Sequence, residues 1–361
     1  METKKDKCQY IEMCRFIGSI MILCHHSYTL MERTFFIGGW AFVEFYFILT
    51  GYYTTLHFSK RMEKCKVECD EIFFYVKNKI KKLYPYAVGG VMFGFFNIIT
   101  QCSENDKSVA SFSLIYNLLL LKGSDIANSS YTYDPPLWYI THLILFLPLI
   151  IILMVKNEKI YKYFLCWFIP IMLYALCMDY MKKIAIWEGG IFQCFRGIAG
   201  LTVGSALFYM TRYYKEKDDF PKMLFRIASV IGFIGFIFIT VFFRNGGIDI
   251  SAEIIAYLII VMFFTLMNDE NYIKNKHIYS ICIHLGELAL PIYCIHYPIQ
   301  DWIQRLFPLN GYWLKLGMSI VWSVMISELM LLVCKKWGEH FNSRNGLYSF
   351  RRQNHIPRRI S

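Results

Sequence analysis

Apolar residues in this chain gather into long blocks separated by short polar and basic segments, without the strict alternation of strands. A backbone crossing hydrocarbon has no water to satisfy its polar groups, so each crossing element is a helix of roughly 20 mostly apolar residues. Ten blocks approach that length: 11–30, 37–56, 84–100, 137–155, 163–178, 189–210, 225–243, 252–268, 280–300 and 316–334. The pattern predicts an all-α, polytopic integral membrane protein with about ten transmembrane helices. The first block carries Arg15, His25 and His26 and lacks a small-residue cleavage site, which predicts a retained span and not a removed signal peptide.

Basic residues orient the chain. With a cytoplasmic N-terminus, the inner segments hold 28 of the 38 lysines and arginines, the outer ones hold eight, and Arg15 and Arg196 fall within spans. Basic segments stay on the cytoplasmic side, so both termini are expected there. Topology and attraction to anionic membrane lipids account for the net charge of +11 without a nucleic-acid partner. No nucleic-acid motif, internal repeat, phosphate-cradling glycine loop or dinucleotide fingerprint occurs. Twelve cysteines, scattered singly, predict no disulfide framework. Cys65 and Cys69 have metal-ligand spacing but no second ligand pair nearby, so no metal is expected. The chain reads as one membrane domain over 1–335 followed by a basic cytoplasmic tail over 336–361. Two connections are long: an inner basic one over 57–83, and an outer polar one over 101–136, closed by Asp134-Pro135-Pro136.

An ionisable group at a span centre costs at least about 2.5 to 3.5 kcal/mol, so it needs a partner, water or a function. Five residues qualify: Arg15, His26, Glu44, Arg196 and His296. At about 100° per residue, Arg15 and His26 return to nearly the same helix face roughly 16 Å apart, while His25 points elsewhere. The bland alternative is that Arg15 snorkels to the headgroups and His26 bonds a backbone carbonyl. Glu44 is expected at a depth from which it meets His26, where a carboxylate would raise the imidazole's basicity and make a general base. The competing reading is an ion pair that only fixes packing. Arg196 heads Arg196-Gly-Ile-Ala-Gly-Leu-Thr-Val-Gly204, whose small residues favour close helix packing and whose cation would hold a carboxylate, a phosphate or an oxyanion. His296 sits near a helix end that Pro298 is expected to loosen. The run Tyr75 to Pro85 holds Lys77, Lys79 and Lys82 on an expected interfacial helix, which reads either as an anionic-lipid contact or as a phosphate site for a coenzyme A thioester.

Together these residues resemble the membrane acyltransferase-3 family, which includes bacterial polysaccharide O-acetyltransferases. The resemblance rests on Arg15-x10-His26; on Gly39-Trp-Ala-Phe-Val43-Glu44-Phe-Tyr-Phe-Ile-Leu-Thr50-Gly51; on the basic run ending Leu83-Tyr84-Pro85; on Leu137-Trp138-Tyr139-Ile140; and on Tyr293-Cys-Ile-His296-Tyr-Pro298. Thr50 stands where the family usually has serine, and Lys77, Lys79 and Lys82 replace its usual arginines, losing the guanidinium fork that grips phosphate. Leu143 replaces a glutamate of the peptidoglycan-modifying branch, and no appended esterase-like domain is expected, which points toward stand-alone enzymes acting on sugars, glycolipids or lipid-linked oligosaccharides.

The resemblance implies a multi-pass enzyme of the bacterial plasma membrane. It would transfer an acyl group, commonly acetyl, from cytoplasmic acyl-CoA, a co-substrate and not a bound cofactor, to a hydroxyl of an extracytoplasmic carbohydrate or lipid-linked glycan acceptor. Arg15, Lys79 and Lys82 would hold the donor. His26, oriented by Glu44, would deprotonate the acceptor or carry the acyl group. Arg196 and His296 would bind the acceptor or the oxyanion. A transporter or flippase for an envelope precursor, which also uses intramembrane charges, is the alternative. The oligomeric state is open.

Overall fold

A computed structural model describes residues 8–30, 36–121, 131–184, 190–217, 221–242, 250–268, 275–309 and 311–353, with side chains except for 28–30 and 337–353. The described residues are overwhelmingly helical and contain no strand. The helices are α1 (Gln9–Leu30), α2 (Ala41–Met62), α3 (Cys69–Ile99), α4 (Glu104–Leu118), α5 (Trp138–Lys156), α6 (Glu158–Ile160), α7 (Cys166–Met181), α8 (Gly190–Lys215), α9 (Lys222–Phe242), α10 (Ser251–Met267), α11 (Lys276–Leu306) and α12 (Tyr312–Gln353). A π turn, Tyr161–Leu165, joins α6 to α7, and a 3-10 turn, Ile37–Trp40, leads into α2. Among the described residues, six stretches are long and apolar enough to cross a membrane: Pro135–Lys156, Glu158–Met181, Gly190–Lys215, Lys222–Phe242, Lys276–Leu306 and Tyr312–Lys336. A shorter apolar helix, Ser251–Met267, accompanies them. Each of the ten expected blocks overlaps a helix, and four of those helices, α1, α2, α3 and α10, fall short of the length or hydropathy of the six.

Two seams organise the bundle. Along α2 and α8, a Cβ at Gly51 would collide with the Leu201 carbonyl, and one at Gly204 with the Ile48 carbonyl, so only glycines let these backbones approach so closely. The small-residue run after Arg196 therefore packs as its composition predicted. Along α1 and α11, Gly286 seats the Glu12 side chain, and the buried Gln300 amide donates to the Leu23 carbonyl at 2.7 Å. Helix α3 joins the second seam, with Gly90 against the Cys294 carbonyl and Asn97 donating to the Pro298 carbonyl at 2.7 Å.

Three helix boundaries differ from expectation, and the outer connection contains a helix of its own. The basic run is not a separate interfacial helix: α3 is continuous over 31 residues with Pro85 inside it. Pro298 does not end its helix, because α11 continues to Leu306. Cys294 loses its in-helix donor to Pro298, and the close approach of Gly90 lies at that carbonyl. The connection 101–136 contains α4, capped by the Ser103 hydroxyl and packed along α3 so that Tyr84 donates to the Leu118 carbonyl at 3.1 Å. The backbone of α12 runs without a break into the segment expected to be a tail.

Candidate active site

Helix α1 brings two adjacent histidines to different neighbours, as the angular spacing required. His25 Nδ1 lies 3.2 Å from the Phe36 carbonyl, against a residue held at φ 59° in the left-handed region, and its Cβ packs close to Gly39. This is an anchoring role. His26 turns to α11: its ring centroid lies 5.2 Å from that of His296 and 5.6 Å from that of Tyr297.

His296 is fully buried. Its Nδ1 lies 2.8 Å from the Tyr293 carbonyl and 3.2 Å from the Ile292 carbonyl, two acceptors that require a proton on that nitrogen. Nε2 is then a lone-pair acceptor, and it has no hydrogen-bond partner among the described residues. The arrangement suits accepting a proton. It does not suit donating to an oxyanion, the role expected for His296, unless the ring is already protonated.

Arg15 is linked to this pair through aromatic rings. Its guanidinium pairs with Glu12 at 2.7 Å on the same helix, and its carbonyl accepts the Tyr46 hydroxyl. The ring of Tyr46 neighbours those of Tyr139 and Tyr293, at 6.2 and 6.4 Å, and Tyr293 lies 5.9 Å from His296. Tyr139 and Tyr293 are themselves 5.5 Å apart. A tyrosine column thus runs from Arg15 to the imidazoles.

Glu44 does not orient His26. Its Oε1 accepts from Arg196 Nε at 2.7 Å and its Oε2 from the Tyr174 hydroxyl at 3.0 Å, with both charged side chains buried. The guanidinium of Arg196 also lies 5.0 Å from the Trp138 ring and 5.5 Å from the Trp40 ring. Two aromatic faces and a carboxylate fix this cation in a low-dielectric setting where a partner is obligatory. Its Nη2 is buried and has no hydrogen-bond partner among the described residues. Glu44 and Arg196, expected in different tasks, form one buried pair.

The expected donor-binding lysines lie on the first half of α3. Lys82 is exposed, and the Lys79 ammonium is 5.9 Å from the Tyr75 ring centroid. Cys65 and Cys69 are exposed, and no cluster of three metal-ligating side chains occurs among the described residues.

Tyr46, Tyr139 and Tyr293 stand inside the motifs that carry the resemblance but had no role assigned to them, and Tyr174, His142 and Asp134 carried no signal for one. His142 is buried with Nδ1 2.7 Å from the Trp138 carbonyl. Asp134, just ahead of the α5 span, is 3% exposed, and neither carboxyl oxygen has a hydrogen-bond partner among the described residues. Burial pushes its carboxyl well above the usual carboxylate range. The Asp-Pro-Pro motif announced a helix start, and nothing in it distinguished an exposed cap from a buried acid.

Long apolar helices, an imidazole pair and a fixed buried arginine together are features of a helical membrane protein with charged and titratable groups packed inside its bundle. The chain belongs to the acyltransferase-3 family, whose acyltransferase-domain model matches residues 9–334. Relatives from Staphylococcus aureus strains COL, MW2 and N315, provisionally named O-acetyltransferases, are each 19% identical over 347 residues, covering 89% of this chain and 56% of theirs. The chain thus spans little more than half the length of these curated relatives. No solved structure matches it.

Proposed function

We propose that this protein is an O-acyltransferase of the bacterial plasma membrane, moving an acyl group, acetyl in the first instance, from cytoplasmic acyl-CoA to a hydroxyl of an extracytoplasmic carbohydrate, glycolipid or polysaccharide. Family membership and the O-acetyltransferase names of the matched relatives support this reading. The observation that carries the chemistry is the His26–His296 pair, with the tautomer of His296 set by backbone carbonyls and its Nε2 left to accept a proton.

In this reading, acyl-CoA enters from the basic end, held by Lys79, Lys82 and Arg15. The imidazole pair takes the proton of the acceptor hydroxyl as its oxygen attacks the thioester carbonyl. The tetrahedral oxyanion collapses, the carbon–sulfur bond breaks, and the coenzyme A thiolate leaves with the proton returned by the imidazole. A variant route passes the acyl group through a transient acyl-imidazole on His26. Arg196, held by Glu44 and Tyr174, offers Nη2 to the oxyanion or to a charged group of the acceptor.

The test is release of free coenzyme A from acetyl-CoA by purified protein supplied with candidate sugar acceptors, wild type against His26→Ala. Acceptor-dependent release lost in the variant is the expected result. Release unaffected by the substitution would remove His26 from the chemistry, and movement of an unmodified solute without acyl transfer would favour a transporter. The proposed orientation predicts that an impermeant amine reagent labels Lys107 from outside and Lys215 only after permeabilisation.

A further inference from the structure

A second site lies away from the histidines, where α2 and α8 end beside the π turn. A cavity of about 630 Å³ is lined there by Glu158, Lys162, Trp167, Tyr209, Arg212 and Glu216, among others. Its size falls within the range of about 300 to 1,000 Å³ common for small-molecule sites.

Charges in the cavity divide into committed and uncommitted groups. Arg212 is neutralised by Glu63 at 2.6 Å and Glu216 at 3.1 Å. Lys162 and Glu158 make no ion pair among the described residues, although they are four positions apart, the spacing at which opposite charges on an α-helix normally meet. The π turn at Tyr161–Leu165 breaks that register. The Lys162 ammonium lies instead 5.0 Å from the Tyr163 ring centroid and 5.6 Å from that of Tyr209. The Tyr209 hydroxyl is buried with no hydrogen-bond partner among the described residues, on a residue 7% exposed. One cation, one anion and one hydroxyl are therefore kept apart around a common space.

The surroundings indicate depth. Tyr163 and Tyr213 are 72% and 60% exposed, Trp167 is 40% exposed, and Lys156, Lys159, Lys215 and Lys217 lie on the same helix ends. Exposed aromatics mixed with lysines mark the headgroup layer. We infer that this cavity binds the headgroup of phosphatidylethanolamine, with Lys162 and the Tyr209 hydroxyl on the phosphate, Glu158 on the primary ammonium, and Trp167 and Tyr163 along the glycerol and upper acyl chain. A lone anionic headgroup would satisfy Lys162 and leave it facing Glu158, while a choline headgroup has no N–H to give that carboxylate. This site is separate from acyl transfer and does not depend on it.

Native mass spectrometry of the delipidated full-length protein with equimolar dioleoyl phosphatidylethanolamine, phosphatidylglycerol and phosphatidylcholine tests the inference. The wild type should retain the ethanolamine lipid about tenfold over the other two, a factor equal to 1.4 kcal/mol. Glu158→Gln should abolish the preference over phosphatidylglycerol, and Lys162→Ala should lower retention of both phosphatidylethanolamine and phosphatidylglycerol. Because Glu158 is exposed and Lys162 is half-exposed, both variants should keep the wild-type melting temperature. Equal retention of the three lipids by the wild type, or a preference unchanged in both variants, overturns the assignment. Displacement of the bound lipid by acetyl-CoA would also overturn it and give the cavity to the acyl donor.

Discussion

The two glycine-lined seams bury polar groups in contrasting ways. Along α2 and α8, Arg196 is held by a carboxylate at 2.7 Å and two tryptophan faces, and one buried donor nitrogen, Nη2, is left over. Along α1 and α11, His296 is held by two backbone carbonyls, and one lone pair is left over. One seam fixes a positive donor and the other a proton acceptor, the two functions that acyl transfer to a hydroxyl requires. A buried charge is defined by the partner it cannot do without. A carboxylate beside a candidate base is not evidence of a relay, because the nearest obligatory partner of Glu44 is the permanently charged Arg196 and not the titratable His26.

The largest expected effect separates the seams by chemistry. His26→Ala and His296→Ala should each lower acyl transfer by about 10² to 10⁴-fold, measured as acceptor-dependent coenzyme A release per unit of folded protein. Glu44→Ala should act first on folding: stripping one partner from a buried pair costs about 3 to 5 kcal/mol. A double-mutant cycle with Arg196→Met should recover much of that loss, whereas coupling of Glu44 to His26 in such a cycle would restore the relay.

Gly204→Ala tests the seam itself. The added methyl meets the Ile48 carbonyl and should destabilise the protein by about 1 to 3 kcal/mol or more, read as a drop in thermal midpoint in detergent. Gly317→Ala, where a Cβ meets nothing within 4 Å, is the matched control.

The smallest effect concerns Asp134. Its folded-state pKa is raised above the unfolded value, so folding favours the protonated acid. The resulting cost is absent below the unfolded pKa of about 3.9 and grows as pH rises toward the folded pKa. Asp134→Asn should therefore gain stability over the wild type at pH 8, with a smaller gain at pH 5, read as the difference in thermal midpoint. An equal difference at both pH values would mean that the carboxyl finds a partner.

The sequence carried the helices well, because apolar block length is a direct consequence of backbone satisfaction in hydrocarbon. It carried the divergence of His25 and His26, and the close packing after Arg196, because both follow from angular spacing and residue size. It did not carry α4, whose apolar periodicity is weak, although Ser103 followed three residues later by Asp106 was a legible capping signal. Depth alone placed Glu44 level with His26, and depth cannot choose among neighbours on different helices. Tyr174 is one of 26 tyrosines, and Trp40 lies four positions before Glu44, but nothing in the sequence says that either packs on the Glu44–Arg196 pair.

The central claim is that the histidine seam performs acyl transfer to a carbohydrate hydroxyl. It is tested most directly by mass spectrometry of envelope glycans from cells making the wild type or His26→Ala at equal membrane abundance. The account predicts an acyl mass increment on a glycan from wild-type cells, absent in the variant. The same increment in both would contradict it.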